Sequence, residues 1–219
     1  MHPRSLFAVW IVLLAVSTAR ATDMPDTQQV QAWWKAKSAE EMTIEGPLQE
    51  VHLRTREVAF MAPVGFYQRG RNFIWHAVLV RPDLREVREL PEPVGHDFSV
   101  EDLEGNGISE VVSVAVASGQ GTTESVHAIV QLDGFNPVVM HLVVSRDNLG
   151  ECHRTCKQVA VDWKFEHPSG TARTLLVETV TTSTGPAPEH LRSRKDVRRY
   201  MLNGDRLVRA GSAAGRSAE

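Results

Sequence analysis

Residues 102–110 carry oxygen-bearing groups at alternating positions, directly before an apolar β run. At positions 1, 3, 5, 7 and 9 of this stretch lie, in order, Asp102, Glu104, Asn106, the backbone carbonyl of Ile108, and Glu110. Calcium prefers several oxygen ligands at about 2.3–2.6 Å. Gly107, at position 6, allows the left-handed backbone that a tight turn needs. The spacing therefore predicts a structural calcium site in this loop.

The same stretch shares its opening with an EF-hand loop but departs from it afterwards. An EF-hand needs a bidentate acid at position 12, where this chain has Ser113 inside the β run, and no helical pattern flanks the loop. An EF-hand is therefore excluded. A polar turn ahead of a buried strand stays open as an alternative, because Asp, Asn and Gly are common turn residues.

Together with the β run that follows, residues 102–110 resemble the D-x-D-G-D/N-G-x-x-D/E loop of FG-GAP and VCBS-type repeats. The resemblance implies calcium ligation by the side chains of Asp102, Glu104, Asn106 and Glu110 and by the carbonyl of Ile108. Glu104 departs from the family, which usually has Asp or Asn at that position. These repeats form β-propeller blades, and small exported proteins of this resemblance include inhibitors of cell-wall hydrolases.

A second copy of the unit lies 65 residues further along the chain. Residues 97–121 align without a gap on residues 162–186, each copy placing an acid, an aromatic, a hydrophobe and a second acid ahead of a loop and a β run. The loop of the second copy, residues 167–173, has no acid, so any cation chemistry belongs to the first copy. Two copies are too few for a propeller of at least about four blades. We therefore expect a propeller-like or sandwich-like β-meander.

The remaining pattern predicts an all-β, mainly antiparallel fold with one short N-terminal helix. Apolar runs of strand length alternate with turn residues, and Asn203 with Gly204 predicts a two-residue hairpin. The helix is expected over residues 26–41, with Asp26 and Gln29 forming a capping box. The predicted organisation after residue 21 is a helix and linker at 22–47, a β domain at 48–209 and a disordered tail at 210–219.

Residues 1–21 have the pattern of a secretory signal peptide. A short basic start precedes an eleven-residue apolar run at 6–16, and Ala19-Arg20-Ala21 supplies a small-x-small cleavage pattern. An uncleaved anchor is the alternative. No later run is apolar and long enough to span a bilayer. We therefore expect a periplasmic or secreted protein with no transmembrane segment after cleavage.

The two cysteines of the chain, Cys152 and Cys156, lie four residues apart. An exported protein meets an oxidising compartment, so a disulfide between them is expected. A zinc site with His153 is the alternative, but two thiolates and one histidine are an incomplete ligand set.

A basic cluster near the C-terminus is a candidate for contact with an anion or a partner. It comprises Arg192, Arg194, Lys195, Arg198 and Arg199, and begins in a stretch that is expected to be a loop, 183–196. A solvated surface is the alternative. Trp33, Trp34, Trp75 and Trp163 are expected in the core or at docking contacts, with sugar stacking as the alternative.

The sequence contains no nucleophile–base motif or cofactor loop, and the net charge of −3 does not favour nucleic acid as a partner. We expect a non-enzymatic binding protein with calcium as a structural cofactor and an envelope protein or cell-wall glycan as partner. One alternative is an envelope hydrolase that uses the acids of the 102–110 region. Another is a structural subunit of an envelope complex, which would expose an apolar patch around Trp33 and Trp34.

Overall fold

The computed structural model describes residues 23–67, 74–150, 152, 155–167, 174–203 and 206–210. These residues form one α-helix and two antiparallel sheets, which confirms the all-β prediction with one short helix. The predicted signal segment, residues 168–173 of the second repeat copy and the tail after residue 210 lie outside this part. Within it, no helix has the length and apolar character that a bilayer crossing requires.

The helix α1, Thr27–Lys35, begins with the predicted capping box. The Gln29 N–H donates to Asp26 Oδ1 at 2.7 Å, and the Asp26 N–H donates to Gln29 Oε1 at 3.2 Å. The helix ends at Lys35 and not near residue 41, because Glu41 already begins a strand. Trp33 and Trp34 are half-buried and pack against the core, in contrast to the exposed patch that a structural subunit would present.

The first sheet contains five strands and packs beneath the helix. Its strands are β1 Glu41–Ile44, β2 Gln49–His52, β3 Val58–Tyr67, β4 Ile74–Arg81 and β5 Glu86–Glu89. The order is β1-β3-β4-β5, and β2 pairs with the first half of β3 while β1 pairs with its second half. Strand β1 therefore occupies part of the predicted linker.

The second sheet contains eight strands that follow one another in chain order, as a meander does. They are β6 Asp97–Glu101, β7 Glu110–Gly119, β8 Thr122–Asp133, β9 Asn136–Asp147, β10 Cys156–Glu166, β11 Leu175–Gly185, β12 Arg192–Asn203 and β13 Arg206–Arg209. Asn203 pairs with Arg206, as the predicted hairpin requires. Strand β12 begins at Arg192, so the predicted loop 183–196 is shorter than expected and the basic cluster lies on a strand.

The eight-stranded sheet curls over itself. In the described part of the chain, the ladder between strands β9 and β10 contains two residue pairs, Asp147 with Gln158 and Arg146 with Val159. The last strand, β13, lies against β9, so β9 to β13 surround an interior like a half-barrel.

Three apolar layers result from alternation along the strands. On β4, Val78 and Val80 pack towards the helix, whereas Ala77 and Leu79 pack between the two sheets. On β8, Ala128 and Val130 join the layer between the sheets, and Ile129 points into the interior of the curled sheet. Burying each such Val, Leu or Ile side chain contributes about 1.5–3 kcal/mol.

Candidate functional site

The predicted calcium loop connects β6 to β7 and is closed by hydrogen bonds among its own residues. The Asp102 carboxylate accepts the N–H groups of Asn106 at 3.1 Å and Gly107 at 3.0 Å. The Asn106 side chain donates to Glu104 at 2.7 Å and accepts the Ile108 N–H at 2.8 Å. Gly107 has a φ of 77°, in the left-handed region that favours glycine. The loop thus gathers three oxygen-bearing side chains at its surface.

Glu110 plays a different part from the other acids of the loop, because it is fully buried. Its Oε2 accepts the Leu103 N–H at 2.7 Å and its Oε1 accepts the Gln131 side-chain N–H at 2.7 Å. Burial raises the pKa of the Glu110 carboxyl, and the nearby charges of Glu104 and Asp102 act in the same direction. Glu110 therefore anchors the base of the loop to the sheet.

The donor chemistry of the loop fits a hard cation at Asp102, Glu104 and Asn106, whose oxygens lie at the exposed end of the hairpin. Glu110 lies beneath them, with a hydrogen bond on each carboxylate oxygen. Across the described part of the chain, no group of three or more His, Cys, Asp or Glu side chains is arranged to hold a metal ion. Calcium in this loop stays a prediction.

The two predicted repeat copies lie in hairpins of the same register. In β6–β7, Asp97 pairs with Val114, and in β10–β11, Asp162 pairs with Thr179. Both members of the second pair lie 65 residues after those of the first. Residues 168–173, in the predicted loop of the second copy, lie outside the described ranges.

The predicted disulfide joins Cys152 to Cys156, with the two Cα atoms 4.9 Å apart. Cys156 is the first residue of β10 and is buried. The bond pins the connection between β9 and β10. It also removes both sulfurs as thiolate ligands for zinc, and His153 lies outside the described residues.

Alternation along β12 divides the predicted basic cluster between two sides of the sheet. Arg198 pairs across the strands with Glu178, whereas its neighbour Arg199 pairs with Val177. The Arg198 guanidinium bonds Asp196 at 2.8 Å. Because Arg198 points towards the interior, the cations on the opposite side of β12 are Lys195 and Arg199.

A buried carboxylate that sequence reasoning missed lies inside the curled sheet. Glu178 on β11 has no exposed surface. Its Oε2 accepts from His141 Nε2 at 2.7 Å and from Trp163 Nε1 at 3.3 Å, and its Oε1 accepts from Tyr200 at 3.3 Å and from Arg198 at 3.5 Å. The only sequence signal is one acid in the apolar run at 174–182. We call Glu178 and these four partners the Glu178 cluster. Within it, the buried carboxylate accepts hydrogen bonds from side chains of three other strands, so its role is structural.

His127 on β8 borders the Glu178 cluster. Its ring centroid lies 5.8 Å from that of Trp163, and its Nε2 lies 3.3 Å from the Ser145 hydroxyl. Burial lowers the pKa of His127, while the charge of Glu178 acts to raise it. Since burial dominates, the pKa of His127 lies below its ordinary value.

An apolar surface covers the outside of the curled sheet on strands β9, β12 and β13. Its side chains are 38–47% exposed, and we call this surface, formed by Val139, Leu142, Val144, Val197, Met201 and Val208, the outer face. A bulge at Met140 lets that residue point inward on the same side as His141, while Val139 and Leu142 point outward. Met201 pairs directly with Val208, and β13 lies against β9, so the outer face continues across all three strands.

No family model, curated protein or solved structure matches this chain. The resemblance of residues 102–110 to FG-GAP and VCBS-type loops accordingly stays a prediction from those residues.

Proposed function

We propose that this chain is an exported, non-enzymatic binding protein of the cell envelope that docks a protein partner through the outer face. The observation that carries the proposal is the continuity of the outer face over three neighbouring strands. The disulfide between Cys152 and Cys156 is compatible with export to the periplasm or beyond.

The apolar character of the outer face favours a partner. Soluble monomers rarely expose contiguous apolar patches beyond a few hundred Å². Here Leu142, Met201 and Val208 leave aliphatic surface in water on neighbouring strands. Covering such surface contributes about 25 cal/mol per Å² of apolar area, which supplies a driving force for association.

Charge on the outer face selects among possible partners. Lys195 and Arg199 lie on the same side of β12 as Val197 and Met201. Among the residues the structure describes, neither cation takes part in an ion pair. A second copy of the chain meeting the same surface would bring these cations towards their own equivalents, and like charges repel. A partner with an apolar, acidic surface is complementary.

The outer face suits a protein better than a glycan. Its side chains are Val, Leu and Met, and none is an aromatic ring on which a sugar could stack. An envelope protein is therefore the partner we propose for this surface.

The proposed role of calcium is structural and lies away from the partner. Asp102, Glu104 and Asn106 would hold the ion at the β6–β7 hairpin, where it would neutralise adjacent acids. Glu110 would keep its present task of fixing the hairpin to the sheet.

Position-specific photo-crosslinking in the producing cells tests the proposal. p-Benzoylphenylalanine in place of Leu142 or Met201 should give a discrete protein adduct. The same probe in place of Val116, which is 54% exposed on β7, should not. Arg199→Glu should remove the adduct, and the adduct partner, once identified, should bind the purified Arg199→Glu variant at least about tenfold more weakly.

Three outcomes would overturn the proposal. Equal adducts from the Val116 position would show that the outer face is not selective. A homodimer as the sole adduct would assign the surface to a second copy of the chain. Adducts with lipid alone would assign it to a membrane.

A further inference from the structure

A second surface, which includes two cations of the predicted basic cluster, lies at the end of the sheet where β10 begins and β11 ends. Direct pairing places Lys157 on β10, Thr184 on β11 and Arg192 on β12 in one row across the three strands. Directly paired residues project from the same side of a sheet, so the three side chains share one side. All three are exposed. The row therefore presents a hydroxyl group with a cation on either side of it.

The next row on the same side has a similar arrangement. It consists of Val159, Thr182 and Arg194, of which Arg194 is exposed and the other two are half-buried. Neighbouring strands lie about 4.8 Å apart, so the Cα atoms of Lys157 and Arg192 lie about 10 Å apart on either side of β11. The side chains of Thr and Val are shorter than those of Lys and Arg. The cations of β10 and β12 therefore flank a lower floor that runs along β11.

The charge of this surface is positive. Its residues carry three positive charges, and further along the same side of β12 the Asp196 carboxylate is bonded by Arg198, whose Nε and Nη2 lie 2.8 Å and 2.7 Å from Oδ2. The charge of that acid is thus balanced by its own partner. We call this surface the β11 groove, formed by Lys157, Val159, Thr182, Thr184, Arg192 and Arg194.

The polar groups of the β11 groove fit a ligand with both anionic and hydroxyl groups. An arginine guanidinium can form two parallel hydrogen bonds with a carboxylate or a phosphate, and a lysine pairs with either as a point charge. A threonine hydroxyl both donates and accepts, as the hydroxyl groups of a sugar do. Arg192 and Arg194 are two residues apart, about 7 Å along the strand, so they match anionic groups that recur along a chain.

Among polyanions, an acidic polysaccharide fits this combination best. Its charged groups can pair with the cations on both sides of β11 while its hydroxyl groups reach Thr182 and Thr184. An acidic polypeptide offers carboxylates but few hydroxyl groups for the threonines. An anionic membrane presents its phosphates in a plane, which would meet the long cationic side chains without reaching the floor between them.

We propose that the β11 groove binds an acidic polysaccharide, whose carboxylate or phosphate groups pair with Lys157, Arg192 and Arg194. The proposal goes beyond the docking of a protein by the outer face and does not depend on it. Arg192 and Arg194 project from the opposite side of β12 to Lys195 and Arg199. A protein with both surfaces would hold a partner protein next to an envelope glycan.

Calorimetric titration of the chain purified from the producing cells tests the proposal with one carboxylate probe and one phosphate probe. The first is oligogalacturonate, with its methyl ester as the uncharged control, and the second is phosphomannan, with neutral mannan as the control. At least one charged probe should bind while its uncharged control does not, which also shows whether carboxylate or phosphate is preferred. Raising the sodium chloride concentration from about 0.05 M to about 0.5 M should weaken the binding, because salt screens exposed charges.

Variants on the two sides of β12 locate the site. The double variant Arg192→Gln, Arg194→Gln should weaken binding at least about tenfold, since it removes two charge-assisted contacts. Lys195→Gln is the matched control, because Lys195 is an exposed cation next to Arg194 on the opposite side of the strand, and binding should stay unchanged. Thr184→Val removes a hydroxyl group at similar shape and should weaken binding about threefold. Unchanged circular dichroism and melting temperature in each variant exclude unfolding as the cause.

The proposal is overturned if neither charged probe binds at about 1 mM, or if Lys195→Gln weakens binding as much as the double variant. Equal affinity for polyglutamate would assign the β11 groove to an acidic polypeptide, and binding to phosphatidylglycerol vesicles alone would assign it to a membrane. Either result contradicts the proposal. Arg199→Glu should leave glycan binding unchanged, and the double variant should leave the outer-face adduct unchanged, so failure of one proposal is separated from failure of the other.

Discussion

The Nε2 atom of His141 lies 2.7 Å from the Oε2 atom of Glu178, which brings an imidazole from β9 onto a fully buried carboxylate from β11. This contact crosses the interior of the curled sheet at the side where backbone pairing is weakest. Among the described residues, the β9–β10 ladder contains two residue pairs, next to one further backbone bond from the Asn148 N–H to the Lys157 carbonyl. The Glu178 cluster therefore supplies, through side chains, cohesion that the backbone ladder lacks at this junction.

Removing the Glu178 carboxylate should destabilise the folded chain. Glu178→Ala leaves the donors of His141, Trp163 and Tyr200 without their common acceptor in a buried site. We expect the free energy of unfolding to fall by about 3 kcal/mol, because each buried donor that is left without an acceptor costs about 1–3 kcal/mol. Urea denaturation monitored by tryptophan fluorescence measures it.

The matched control is Glu166→Ala on the neighbouring strand β10. Its side chain is 40% exposed and, among the described residues, forms an ion pair with the exposed Lys164. We expect the free energy of unfolding of Glu166→Ala to stay within about 0.5 kcal/mol of the wild-type value. A loss below about 1 kcal/mol in Glu178→Ala would mean that the cluster does not hold the two parts of the sheet together.

His127 should make stability depend on pH. Burial lowers its pKa in the folded state, so between that value and the ordinary 6.5 the unfolded chain binds more protons than the folded chain. Stability should therefore fall as pH falls from 6.5 through the folded-state pKa. Urea denaturation at a series of pH values should show this slope in the wild type and a smaller slope in His127→Gln.

The pKa of His127 should also depend on the charge of Glu178. Since the charge of Glu178 acts to raise the pKa of His127, Glu178→Gln should lower that pKa further. NMR titration of the His127 ring protons provides the measurement. An unchanged or higher pKa in the variant would contradict the electrostatic link between the two residues.

Local signals in the sequence identified the features that depend on near neighbours. The Asp26–Gln29 capping box spans three residues, and the Cys152–Cys156 disulfide spans four. Both are confirmed because the partners are fixed by the local chain. Strand alternation likewise located the long apolar strands, since one face of each is buried.

Features that depend on distant partners were missed. Strand β1 has only four residues and the first half of β12 is largely polar, so their pairing with β3 and β11 makes them strands. Glu178 looked like a lone acid in an apolar run, and its partner His141 lies 37 residues away. The outer face could not be foreseen either, because exposure there depends on how the sheet curls.

The disulfide should stabilise the chain modestly. Its sequence separation is four residues, and closing so short a loop restricts the unfolded chain by about 2 kcal/mol. The double variant Cys152→Ala, Cys156→Ala should lose that amount in urea denaturation. Wild type treated with a reducing agent should lose a similar amount, and the variant should not respond to it. A response of the variant would point to an effect other than the bond.

Calcium should raise the melting temperature if residues 102–110 bind it. At a free concentration about 100 times Kd, one site adds about 2.7 kcal/mol to the free energy of unfolding. The comparison is differential scanning calorimetry in millimolar calcium and in chelator. Asp102→Ala removes a carboxylate that also accepts two N–H groups of the loop, so its melting temperature should be lower in chelator as well.

The calcium site is tested by the difference between the melting temperatures in calcium and in chelator, and not by the melting temperature in chelator alone. It should vanish in Asp102→Ala and shrink in Glu104→Gln, which removes one charge while keeping a side chain of similar shape. Asp133→Ala is the control, because Asp133 is an exposed acid at the β8–β9 turn. A wild-type difference of zero at millimolar calcium would leave residues 102–110 as a polar turn held by its own hydrogen bonds. An equal loss in Asp133→Ala would assign the ion elsewhere.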